Sequence, residues 1–278
     1  MVLIINQRTG GHAGAIARAD CWESAGGKTP TYTVVTPTEV ERRTAGKQVV
    51  IAIHGFNVSR PDAVRAYISL ERQLALTADQ VFFGVAWPGD GWIPVVNYPW
   101  ESGDAASCGR YLATWLTAAM PQAASFNFVS HSLGGRVLLE AVRTLERSAA
   151  QVCITAGAVD DDVLSASYAE VKGKAERISV LTSTKDVVLR AAYPLGDFVT
   201  DVFLGDRDSP WHGALGRKGP NPAEVPPGVT TCRIPTDPAY GHGDYFPPGN
   251  GGVGNGRWKK SVDYMSRALK GDEPTRWE

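Results

Sequence analysis

Apolar, β-branched runs recur along the chain and alternate with stretches in which apolar residues return every three or four positions. The runs at 2–5, 31–36, 48–53, 81–86, 125–130, 151–157, 177–183 and 229–234 predict strands. Their nearly continuous apolar character suits strands buried on both faces. Helical spacing predicts a helix from near Pro61, with Val64, Tyr67, Ile68 and Leu74 on its stripe. Others are predicted over 103–119 (Ala105, Cys108, Leu112, Trp115, Leu116, Ala119), 133–148 (Leu133, Val137, Ala141, Leu145) and 257–270 (Trp258, Val262, Met265, Leu269). The order β-α-β-α predicts an α/β fold, a mainly parallel central sheet of about eight strands with helices on both faces.

Three stretches interrupt the rhythm: 87–102, rich in Trp and Pro, 193–228, rich in Gly and Pro, and 235–256, which contains PPGNGGVGNG. Each follows a predicted strand, the end at which ligands bind in open α/β sheets. The expectation is one domain over 1–278 with these three segments as irregular or cap-like loops.

The sharpest chemistry lies in SFNFVSHSLGGRVLLEAV, residues 125–142. A strand that turns straight into a helix forces its turn residue into a strained backbone and lifts it above the sheet edge. Ser132 occupies that turn. Ser130 and Gly134, two residues to either side, are small enough for the chain to fold back, and Gly135 is expected to let the helix approach the strand. The first glycine of the usual G-x-S-x-G pattern is here Ser130. A serine at a helix start also serves as a cap, which is the plainer reading. An oxyanion formed at Ser132 needs preorganised N–H donors. One is expected from Leu133, the residue after the nucleophile, and the other from Phe56 or its neighbour Asn57, in the loop that follows IAIHG.

A hydroxyl needs a base, and the chain offers five histidines. His54 and His131 belong to the two motifs, and His12 is expected to precede the core sheet. His242, between the last predicted strand and the last helix, is the favoured base, with His212 as its rival. The acid that orients it is expected just past a strand end: Asp186 is favoured, with Asp160, Asp161 and Asp162 as the rival set, which otherwise read as a helix start.

Taken together, IHGFN, the helix over 62–76, VAWPGDG with Tyr98 and Asp104, SHSLGGRVLLEAV, LTSTKDVVL and GHGDY resemble a bacterial, esterase-like branch of the α/β-hydrolase superfamily that is grouped as a family of unknown function. The resemblance runs from about 48 to 246. It implies the α/β-hydrolase fold and a Ser132–Asp186–His242 triad, and it fixes no substrate. The expected activity is cleavage of small, soluble carboxylic esters with short to medium acyl groups. Thioesterase, amidase and lipase chemistry would use the same triad, and a non-catalytic binding module on the same scaffold is the alternative of a different class. Trp87, Trp92, Tyr98 and Trp100 are candidates for the wall of an acyl pocket, against the simpler reading that they pack their loop onto the sheet.

Composition narrows the partners. The net charge of -1 and the absence of a basic run argue against nucleic acid. The four cysteines show no metal-site spacing, and the expected chemistry needs neither metal nor organic cofactor. No apolar stretch is long enough for membrane insertion and the first residues do not read as a signal peptide, so the expected location is the cytoplasm. The expected partner is a small-molecule ester; nothing bears on oligomeric state.

Overall fold

The computed structural model describes residues 1–11, 14–89, 98–191, 213–221, 225, 227–235, 240–249, 256–272 and 274–277, with the backbone alone for 98–102 and 191. Within these, nine strands form one sheet: β1 (Val2–Arg8), β2 (Ile16–Ser24), β3 (Thr33–Val34), β4 (Gln48–Ile53), β5 (Gln80–Ala86), β6 (Ser125–His131), β7 (Ala149–Thr155), β8 (Ala175–Thr182) and β9 (Val229–Arg233). Their spatial order is β3-β2-β1-β5-β4-β6-β7-β8-β9. From β1 to β9 every neighbouring pair is parallel; β2 and β3 are added antiparallel at one edge.

The sheet is therefore mainly parallel, as its uninterrupted apolar runs predict, with one strand more than expected. The added strand is β2, IARADCWES. It turns back from β1 and alternates charged with apolar residues because one face is half exposed. The run at 31–36 yields only the two-residue β3. Strand β1 lies inside the sheet, between β2 and β5, so the expectation that residues near His12 precede the core sheet is corrected; His12 itself is outside the described residues.

The helices that matter for the site are α1 (Pro37–Thr44), α2 (Arg60–Gln73), α3 (Tyr98–Ala119) and α4 (Gly134–Thr144). Helix α1, PTEVERRT, is short and mostly polar and so escapes a search for apolar stripes; the Thr36 side chain caps it by accepting from the Glu39 amide. Ser59 caps α2 in the same way through the Asp62 amide. Helices α3 and α4 pack against each other. Helix α2 and the last helix, Trp258–Leu269, form a second pair. The handedness of parallel crossovers assigns the pairs to opposite faces. The chain steps from β4 through α2 to β5 in one direction, and from β6 through α4 to β7 in the other.

The opposed steps make the ends of β4 and β6 a switch point, a crevice at the carboxyl edge of the sheet. Beneath it lies a buried polar web. The Tyr67 hydroxyl of α2 accepts the His54 amide at 2.9 Å and donates to the Val85 carbonyl at 2.7 Å. The Trp87 indole N–H donates to the His54 carbonyl at 2.9 Å, and its ring stacks on the His54 imidazole with centroids 5.6 Å apart. All of these groups are buried. Replacing the hydroxyl in Tyr67→Phe removes two buried hydrogen bonds, one to the His54 amide and one to the Val85 carbonyl. The expected loss is about 1–3 kcal/mol of unfolding free energy by urea denaturation; a change within about 0.5 kcal/mol would show that the hydroxyl does not carry this junction.

Candidate active site

Two chain turns meet at the switch point. The first follows β4 at His54-Gly55-Phe56; the second follows β6 at Ser132. Ser132 has φ +56°, the left-handed region that a side chain rarely adopts. The strain is held by backbone bonds on both of its polar groups. The Ser132 amide donates to the Thr155 carbonyl at 3.1 Å, and its own carbonyl accepts from Gly135 at 2.9 Å and Ala158 at 3.2 Å. Close approach of the two turns explains two glycines. A Cβ on Gly55 would lie 2.8 Å from the Ser132 Cβ, and one on Gly134 would lie 2.4 Å from the His54 carbonyl oxygen. Gly135 is different: a Cβ there would sit at an ordinary 3.5 Å from Ile154. The closeness expected of Gly135 is supplied by Gly134.

The serine hydroxyl ends a chain of hydrogen bonds. Ser132 Oγ lies 2.8 Å from His242 Nε2, and His242 Nδ1 lies 2.8 Å from Asp186 Oδ2. His242 opens a single 3-10 turn, His242–Asp244, that reaches over the sheet edge between β9 and the last helix. Asp186 sits just past β8, where its other oxygen accepts the Leu189 amide at 3.0 Å. Side-chain exposure is 17% at His242 and 0% at Asp186, so water reaches the imidazole but not the carboxylate behind it.

The rival acids stand elsewhere. Asp160 forms an isolated bridge with Ala214, Asp161 accepts the Gly213 amide at 3.3 Å and pairs with Lys218 at 3.6 Å, and the Asp162 carbonyl caps a turn through Ser165. They brace the 213–218 segment and the turns of 161–170. His212 lies outside the described residues.

Of the two suggested oxyanion donors, the Leu133 amide follows Ser132 directly and heads α4, and no carbonyl among the described residues takes it up. Asn57 is a poor alternative to Phe56, because its amide already donates to the Gly89 carbonyl and its φ is +60°. Of the suggested pocket aromatics, Trp87 is fully buried with its ring stacked on His54, which fits the packing alternative. Trp92 lies outside the described residues, as do the side chains of Tyr98 and Trp100 at the head of α3. Among the described residues no group of three His, Cys, Asp or Glu is placed to hold a metal ion, and no helix is long and apolar enough to cross a membrane.

His131, which sequence reasoning assigned only to the strand motif, also belongs to the site. Its Nε2 is 2.8 Å from the His242 carbonyl, and its ring lies over Tyr245 and Phe246. No local signal marks this contact, since 111 residues separate the partners.

Set against known proteins, residues 35–202 match the family described as "Alpha/beta hydrolase of unknown function (DUF900)". No curated protein matches the sequence. Among solved structures, a predicted CIB-like hydrolase from Thermoplasma acidophilum is 13% identical, over 88% of this chain and 97% of its own, with a TM-score of 0.45. A variant of SOBER1 from Arabidopsis thaliana is 14% identical, over 81% and 98%, at 0.46. A propionate-bound thermophilic esterase from Thermogutta terrifontis is 10% identical, over 91% and 90%, at 0.45. Likenesses this distant carry no functional argument.

Two site-lining imidazoles set a pH dependence. Burial pushes His54 from an ordinary 6.5 down to about 3, and burial, followed by repulsion from His242, does the same to His131. The unfolded chain takes up these protons near pH 6.5 and the folded protein does not, so stability is lost as pH falls below 6.5. Each ring is expected to cost about 2 kcal/mol between pH 7 and 5. Glu71 and Asp104, whose carboxyls burial pushes up, oppose this. Urea denaturation at the two pH values checks the sign; equal or greater stability at pH 5 would contradict it.

Proposed function

The chain belongs to the family of alpha/beta hydrolases of unknown function, and from that premise we propose that it is a serine hydrolase cleaving small carboxylic esters through an acyl-enzyme. One observation carries the reading: the hydroxyl of a strained turn residue lies 2.8 Å from an imidazole nitrogen whose other nitrogen faces a buried carboxylate.

In this reading Ser132 Oγ attacks the ester carbonyl while His242 Nε2 takes its proton. The Asp186 carboxylate accepts the His242 Nδ1–H, which holds the ring in the tautomer with a bare Nε2 and stabilises the imidazolium as it forms. The Leu133 and Phe56 amides receive the negative charge that develops on the carbonyl oxygen. Collapse of the tetrahedral species expels the alcohol, which leaves with the proton from His242. A water, deprotonated by the same imidazole, then splits the acyl-enzyme, releasing the acid and returning the hydroxyl to Ser132. The proposed substrates are soluble esters with short to medium acyl chains, acting as small-molecule partners.

The test is a series of p-nitrophenyl esters of increasing acyl length, assayed with the wild-type protein and two variants. Ser132→Ala is expected to lower kcat by about 10⁶ and Asp186→Asn by about 10⁴. Ester turnover that survives Ser132→Ala undiminished would end the proposal. A well-folded wild-type protein that turns over no ester, thioester or amide would favour a binding module instead.

A further inference from the structure

Resting on that reading of Ser132 and His242, we propose that His131 is a positioning residue. Its Nε2–H holds the carbonyl of His242 and so sets the distance between the base and the nucleophile that follows His131 in the chain. Three observations lead there.

The first is the hydrogen bond itself. His131 Nε2 stands 2.8 Å from the His242 carbonyl oxygen, and a carbonyl only accepts, so the proton resides on Nε2. The second is the packing that fixes the ring. Its centroid lies 4.8 Å from that of His242, and it is stacked on Tyr245 at 6.0 Å and on Phe246 at 5.5 Å. A neutral ring suits this place: burial, with repulsion from His242 behind it, holds the imidazole uncharged down to about pH 3. The donor thus persists at neutral pH, with the ring uncharged.

The third is geometrical. Ser132 and His131 are consecutive, so the peptide between them, the bond from His131 to the His242 carbonyl, the His242 side chain and its bond to Ser132 Oγ close into a small ring. Both contacts belong to His242, so a shift of the 3-10 turn away from the serine turn pulls on the bond from His131 as well as on the 2.8 Å contact to the hydroxyl. The far side of the turn is tied separately. The Asp244 carboxylate accepts the Gly241 amide at 2.7 Å and pairs with Arg257 at 3.6 Å, and Ser261 Oγ donates to the Asp244 carbonyl at 3.2 Å. His131 is the tie on the nucleophile's side. The competing explanation is that a flat side chain simply fills the space over Tyr245 and Phe246, in which case phenylalanine would serve equally.

Two variants separate these explanations. His131→Phe keeps a stacked ring without the donor; His131→Gln restores an N–H at a similar reach. His131→Phe is expected to lower kcat about 10- to 100-fold with KM changed less than about threefold, because misplacing a catalytic group by about an ångström costs that much. His131→Gln is expected to recover to within about threefold of wild type by the same argument. Equal activity of the two variants, whether high or low, would overturn the proposal. If either variant fails to fold, ¹⁵N histidine spectra of the wild-type protein decide: the Nε2–H tautomer of His131 supports the tie, and the Nδ1–H tautomer overturns it. A wild-type protein that shows this tautomer but hydrolyses nothing would fail the hydrolase reading rather than the tie.

Discussion

Ser132 is held in a backbone conformation that costs a non-glycine residue on the order of 1–3 kcal/mol, and the surrounding structure is arranged to keep it there. Its amide is tied to β7 and its carbonyl to two amides beyond the turn. The neighbouring turn after β4 comes so near that no side chain fits at position 55 or 134. The consequence is geometrical: the hydroxyl stands off the carboxyl edge of the sheet at the point where the chain's connections part to opposite faces. Without the strained turn the hydroxyl would follow the strand's alternation into the core or the helix's stripe along it, and no imidazole from a later loop could meet it.

The strain is supported from below and answered from above. Below, the Tyr67 hydroxyl and the Trp87 indole bond the backbone amide and carbonyl of His54 in the interior, which fixes the end of β4 against which the serine turn packs. Above, the turn at 242–244 is anchored through Asp244 to the last helix and through His131 to the serine strand. Asp186 is placed by its own contact with the Leu189 amide, while Ser132 and His242 are held by backbone bonds outside the hydrogen-bonded chain. Positions determined this many times over are what preorganised chemistry requires.

Much of this was legible in the chain, and the reasons it was or was not are physical. The parallel strands are buried on both faces and therefore announce themselves as unbroken apolar runs. Strand β2 is half-exposed, one place in from the sheet edge, and carries Arg18, Asp20 and Glu23, and α1 buries only Val40 and Thr44 of its eight residues, so neither leaves an apolar signature. The run at 151–157 stops early, at Thr155, because Ala156 turns to φ +46°, a backbone choice that residue type alone does not reveal. Ser132 was readable because strand, turn and helix adjoin in sequence. Position alone did not single out Asp186 from Asp160, Asp161 and Asp162, since all follow strands; the resemblance implied it, and the 2.8 Å approach of His242 Nδ1 is what distinguishes it. Trp87 drew attention as one of several aromatic residues in a loop, yet the chain there turns inward and buries it. The role of His131 depends wholly on a contact across 111 residues.

The central claim is that the Ser132 hydroxyl is an activated nucleophile. Treatment of the folded protein with a fluorophosphonate, followed by peptide mapping in a mass spectrometer, reads that property directly and needs no knowledge of the natural ester. A single phosphonyl adduct on the peptide spanning 125–142, located at Ser132 and absent from heat-unfolded protein, is the predicted result. Folded protein that remains unmodified, or that carries the adduct on another serine, would contradict the account.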